Sequence, residues 1–149
     1  MTIKAVTFDL DDTLWPLYDV IMNSHKLSND WLIEKHPQME GILFSSKERK
    51  MWQTLIKAEP SLANRLSELR KKVIETLLVE NGVDLSSASK DSEEAFEIFL
   101  DERHKVTYFD NVLEVLKKLK GNFKLGVLTN GNASIKTLGI DHLFDFYLN

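Results

Sequence analysis

"IKAVTFDLDDTLW", residues 3–15, joins a short apolar run to three aspartates, Asp9, Asp11 and Asp12. Like charges this close repel one another, and nothing about packing a core calls for them. The run from Ile3 to Asp9 is rich in β-branched and aromatic residues and carries no helical stripe, so it reads as a buried strand. Pro16 cannot continue a strand ladder. At a strand end alternate side chains share a face, which puts Asp9 and Asp11 together and turns Asp12 away. In an open parallel α/β sheet, ligands bind beyond the carboxyl ends of the strands. A carboxylate pair placed there can divide nucleophilic and acid–base work. An all-oxygen donor set without His or Cys nearby points to Mg²⁺ rather than zinc. Taken alone, two aspartates of this spacing fit a turn or helix cap equally well.

From Pro16 to about residue 104 the period becomes helical. Leu17, Val20, Ile21, Trp31 and Leu32 lie on one stripe, interrupted by Ser24 and Ser28. Met51, Trp52, Leu55 and Ile56 mark a second helix. Leu62, Leu66, Leu69, Val73 and Leu77 mark a third, closed by Asn81-Gly82. Ser86 or Ser87 is placed to cap a fourth, whose apolar face carries Phe96, Phe99 and Leu100. Four helices with short connections suggest an all-helical bundle. Strand and helix then alternate. Asp110 is placed to cap a helix with Val112, Val115, Leu116 and Leu119, and "FKLGVLT" (123–129) reads as a second buried strand. A short helix and a third buried strand, "FDFYL" (144–148), follow. The fold class is therefore α/β, a Rossmann-like parallel sheet with a four-helix cap inserted after its first strand. The sheet core is expected over 1–14 and 105–149, and the cap over 15–104.

"VLTNG" (127–131) ends the second strand with a hydroxyl, an amide and a glycine. Beside a carboxylate pair these make a cradle for phosphate. With both motifs closing buried strands, and a helical block between them, the sequence resembles the haloacid dehalogenase superfamily of aspartate-nucleophile phosphohydrolases. "DLDDT" looks like its first motif and "LTNG" like its second. "LTNGNA" is similar to the branch with flavin-nucleotide and riboflavin-precursor phosphatases. The resemblance implies that Asp9 is the nucleophile and Asp11 the general acid and base. It implies that Mg²⁺ is held by the Asp9 carboxylate and the Asp11 backbone carbonyl. Thr129 and Asn130 would bind the substrate phosphate, and Thr13 would lock the turn. The dehalogenases of the superfamily usually lack the second aspartate, so Asp11 favours phosphoryl chemistry.

Two family features are missing: a lysine shortly after the third strand, and a "GD" segment whose aspartates complete the metal site. Lys136 lies too near the second motif to stand in. The proposed cap leaves only about 60 residues for the sheet domain, thin for a doubly covered sheet. The chain reads as the first two-thirds of a phosphatase, with weak Mg²⁺ binding and with self-association through a bare sheet edge expected. Three readings stay open: the phosphatase, an inactive fragment or pseudo-enzyme with a binding role, and a 2-haloacid dehalogenase.

Other calls follow from composition. Of the 149 residues, 43% are hydrophobic and 28% charged, with net charge −4 and no cysteine. This fits a globular cytoplasmic protein without disulfides and gives no electrostatic reason to expect nucleic acid or membrane partners; the expected partner is a small phosphorylated metabolite. The N-terminus lacks signal-peptide features. Trp15 and Tyr18 are candidates for stacking on a flat substrate, although aromatic residues at such a place more often pack. Arg70, Lys71 and Lys72 read as a solvated helix face.

Overall fold

The computed structural model describes residues 3–148. Its sheet has three parallel strands, β1 (Ala5–Phe8), β2 (Lys124–Leu128) and β3 (Phe146–Leu148), in the order β1-β2-β3. Val6 pairs with Leu125 and Phe8 with Val127, while Val127 in turn pairs with Tyr147. The fold class is the α/β one read from the sequence. Each strand is shorter than its apolar run, because pairing stops where the neighbouring strand stops.

The strands are less buried than expected. Only β2 is covered along its middle, at Leu125, Gly126 and Val127. β1 alternates exposed and half-buried residues, and all three residues of β3 are exposed. Each of these outer strands pairs on one side only among the described residues, so a run of apolar residues does not bring double coverage with it. Gly126 has a packing reason: a Cβ there would lie 2.1 Å from the Phe146 ring.

The chain divides into two compact units, Met1–Asn23 with Glu102–Asn149, and Ser24–Asp101. In the first, Leu10, Leu14, Trp15, Leu116, Leu125, Val127 and Phe144 are among the residues of one apolar core. Helix α5 (Val112–Lys120) packs here. Its N-cap is Asn111, in the left-handed region at φ 66°, rather than Asp110. No α-helix separates β2 from β3. The connection is a single turn, in which the Leu138 N–H donates to the Ser134 carbonyl at 3.0 Å, closed by left-handed Gly139 (φ +71°) and followed by a 3-10 turn at Asp141–Leu143.

Helices α1 (Leu17–Lys35), α2 (Ser46–Ala58), α3 (Leu66–Glu80) and α4 (Leu85–Arg103) are the four read from the sequence. Leu62 falls outside α3, in a separate 3-10 turn at Pro60–Asn64, where Pro60 favours a new start. Asp84, not Ser86 or Ser87, caps α4: its carboxylate accepts the Ser87 N–H at 3.0 Å. Asn81 caps the end of α3, and Gly82 turns away at φ +89°. In the second unit Leu32, Met39, Leu62, Leu69, Val73, Leu77 and Ala95 belong to the core. The serines that break the α1 stripe are buried, and Ser28 donates to the Ala95 carbonyl at 2.8 Å. Among the described residues no helix is long and apolar enough to cross a membrane.

Candidate active site

β1 ends at Phe8, so strand alternation does not reach Asp11, and a tight loop sets the three aspartates instead. The Thr13 and Leu14 N–H groups both donate to the Leu10 carbonyl, at 3.2 and 2.8 Å. The Asp12 N–H donates to the Trp15 carbonyl at 2.8 Å. Asp12 itself is left-handed (φ 55°), which aspartate tolerates better than most residues, and its carboxylate accepts the Leu17 N–H at 2.8 Å. It thereby ties the loop to the start of α1, which explains one of the three aspartates as a structural group.

Asp9 is exposed at the end of β1, and its Oδ1 accepts the Leu10 N–H at 2.7 Å. Asp11 is held differently. Its side chain is 16% exposed, and Arg103 Nη2 lies 2.6 Å from each of its oxygens. Trp15 Nε1–H donates to Asp11 Oδ1 at 3.0 Å. Arg103 is 1% exposed, and among the described residues its Nε and Nη1 have no partner. Among the described residues the only carboxylate paired with this buried guanidinium is Asp11. Trp15, fully buried and edge-on to Tyr108 with ring centroids 5.7 Å apart, is a packing and positioning group. Tyr18 is exposed.

Thr129 follows β2 and is buried; its Oγ1 accepts the Gly131 N–H at 3.2 Å. Gly131 lies against the Asp11 carboxylate. A Cβ there would stand 2.7 Å from Asp11 Oδ2, 3.5 Å from Thr129 Oγ1 and 3.8 Å from Arg103 Nη2. The structure thus brings Asp11, Thr129 and Gly131 together. Asn130 is exposed. An open hollow of about 520 Å³ runs along the following residues, with Asn132, Ser134, Lys136 and Tyr147 in its wall.

Arg103 escaped the sequence reading. In "DERHK" (101–105) an arginine at a helix end looks like any solvated charge, and its partner lies 92 residues away in the chain.

The oxygen donors of this loop are of the kind that Mg²⁺ takes. They are few: among the described residues no group of three or more His, Cys, Asp or Glu side chains is placed to hold a metal.

Residues 3–149 match the family model described as haloacid dehalogenase-like hydrolase. The phosphatase YigB of Escherichia coli K12, named for 5-amino-6-(5-phospho-D-ribitylamino)uracil, is 28% identical over 146 residues, covering 98% of this chain and 61% of YigB. A solved structure named 2-haloacid dehalogenase, from Pseudomonas syringae pv. tomato DC3000, superposes with a TM-score of 0.92 at 38% identity, covering 99% of this chain and 64% of that one. The HAD-hydrolase YfnB of Bacillus subtilis, solved bound to magnesium, shares the fold with a TM-score of 0.54 at 16% identity, covering 99% and 65%. The chain therefore spans somewhat under two-thirds of the length of each of these relatives. With the strand–loop aspartates, the "LTNG" turn and the inserted helices all in place, this chain belongs to the haloacid dehalogenase-like hydrolase family.

Proposed function

We propose that the protein is a magnesium-dependent phosphomonoester hydrolase acting on a small phosphorylated metabolite in the cytoplasm, with residues 15–104 forming its cap. One observation carries the reading: Asp11, the second acid of the motif, has its carboxylate held by two donors beside Thr129 and Gly131. A fixed carboxylate two residues from an exposed one suits a reaction that needs a nucleophile and a proton carrier.

In the first step an Asp9 oxygen attacks phosphorus. A new O–P bond forms, the bond to the alcohol oxygen breaks, and Asp11 hands that oxygen a proton. In the second, Asp11 takes a proton from water as the water oxygen attacks the aspartyl-phosphate, releasing Asp9 and inorganic phosphate. The ion pair with Arg103 is the carboxylate form of Asp11, which the second step needs. The first requires Asp11 to arrive protonated, with the hold of Arg103 loosened. The Thr129 hydroxyl and the Asn130 amide would receive the phosphate oxygens. The Asp9 carboxylate and the Asp11 backbone carbonyl would hold Mg²⁺, which when bound neutralises charge on the phosphoryl oxygens.

The test is turnover of an aryl phosphate with and without Mg²⁺. The protein is assayed beside its Asp9→Asn variant, which is the blank. Mg²⁺-dependent release of phosphate that Asp9→Asn abolishes is expected; equal rates in the two proteins would refute the reading. The phosphoribityl compound in the name of YigB is the first natural candidate to assay. A second reading has its own support in the Pseudomonas protein named a 2-haloacid dehalogenase. Metal-independent halide release from a 2-haloacid would establish it, but a dehalogenase has no evident use for Asp11.

A further inference from the structure

The basic cluster on α3 is not one solvated face. Lys71 pairs with Glu93 at 2.8 Å and Lys72 with Glu59 at 3.3 Å, both near the surface. Arg70 turns inward. Its guanidinium carbon lies 3.9 Å from the centre of the Phe99 ring and 5.6 Å from that of Trp52. Nη1 is 3.0 and 2.9 Å from the two ring nitrogens of His25. All four helices of this unit meet at the group: His25 from α1, Trp52 from α2, Arg70 itself from α3 and Phe99 from α4.

Among the described residues Arg70 has no carboxylate in ion-pair contact. The acidic group that acts on it from nearby is Glu48, whose carboxylate is engaged with the Phe44 N–H. A guanidinium can only donate, so His25 must offer it a lone pair. Burial first, and then the charge of Arg70, pull the His25 pKa down to about 4, which keeps the ring neutral. One neutral acceptor serves a group with five N–H donors. Phe44 stands beside His25, ring centroids 5.5 Å apart, and is half exposed. Its backbone is left-handed at φ 62°, an unusual conformation for a bulky residue. A guanidinium with no carboxylate in direct contact among the described residues, set against the rings of Phe99, Trp52 and His25 and with the exposed Phe44 ring beside His25, is complementary to an aromatic anion.

We propose that Arg70, His25 and Phe44 form a binding site for an oxyanion, carboxylate or phosphate, carried on a flat apolar body. The guanidinium receives the anion and Phe44 covers the body. This site lies within the helical unit and does not rest on the phosphatase reading, since Asp9 and Asp11 take no part in it.

The experiment is titration of the 149-residue chain with benzoate and with phenyl phosphate, followed by the ring signals of His25 and by calorimetry. Benzamide serves as the neutral isostere and inorganic phosphate as the bare anion. Saturable shifts at His25 are expected from the two aromatic anions, with benzamide at least tenfold weaker. Arg70→Met should lose at least tenfold for both, and Arg70→Lys should recover part of that. Glu48→Gln should tighten binding, and Asp9→Asn should leave the His25 shifts unchanged. Comparing benzoate with phenyl phosphate tells which head group is preferred. An unmoved His25, equal binding by Arg70→Met, or benzamide binding as well as benzoate would overturn the site. Inorganic phosphate matching phenyl phosphate would overturn the part given to Phe44.

Discussion

Removing Asp11 should cost more stability than removing Arg103, although the two form one ion pair. Two unit charges about 4 Å apart attract by about 4 kcal/mol at an effective dielectric constant near 20. The two partners lose that attraction equally but differ in what is left behind. Asp11→Ala leaves Arg103, 1% exposed and with Nε and Nη1 already unpartnered, as an uncompensated buried charge. Such a loss costs about 3–5 kcal/mol. Arg103→Met removes the buried charge itself. Asp11, 16% exposed, keeps the Trp15 N–H and gains water, so the cost should be about 1–2 kcal/mol. The double variant should then be more stable than Asp11→Ala alone. A unit of this size holds only about 4–10 kcal/mol in all, so Asp11→Ala brings it close to unfolding. Urea unfolding read from the fluorine signal of 5-fluorotryptophan at Trp15 isolates this unit, since Trp31 and Trp52 pack in the helical one. Arg103→Met costing as much as Asp11→Ala, or a coupling energy below about 1 kcal/mol, would refute the reasoning.

Gly131→Ala would put a methyl 2.7 Å from Asp11 Oδ2; the carboxylate must shift, costing about 1–3 kcal/mol and disturbing the Trp15 indole N–H resonance, which checks it. Gly126→Ala meets the Phe146 ring at 2.1 Å and should release β3 from β2, read as faster amide exchange at Thr129, whose N–H bonds the Leu148 carbonyl. The helical unit should weaken in acid. His25 folds with a pKa near 4 against about 6.5 unfolded, so between these values the unfolded chain binds more protons and stability falls with pH, by up to about 3 kcal/mol once below 4. Asp91 adds to this at lower pH. Burial alone would raise its pKa, but bonds from Lys35 and His36 outweigh that and hold it below the usual carboxylate range, so its contribution is lost as it protonates. His25→Phe should flatten the upper part of the pH profile; a profile unchanged by it would contradict the assignment. Arg70→Met, which removes a half-buried charge and keeps an apolar stem against Phe99, should not lower the thermal midpoint; a fall of more than about 5 °C would mean that Arg70 is chiefly a structural prop.

What the sequence by itself determined is whatever is local and periodic. The four helices show in their apolar spacing, β2 in its unbroken run, and the end of α3 in Asn81-Gly82. That Asp9 comes directly after β1 and Thr129 directly after β2 was legible, because position along a strand is set by short-range spacing, which survives in the letters. Tertiary structure alone decided which charges meet. Arg103 and Arg70 look alike in sequence, each a basic residue on a helix. One lies against a carboxylate 92 residues earlier in the chain, and the other against three aromatic side chains, His25, Trp52 and Phe99, drawn from other helices. The exposure of β1 and β3, and the end of β1 short of Asp11, were equally invisible, because coverage of a strand is a property of its neighbours and not of its own residues. Side-chain partners and burial arise from contacts between distant segments, and local periodicity carries no information about them.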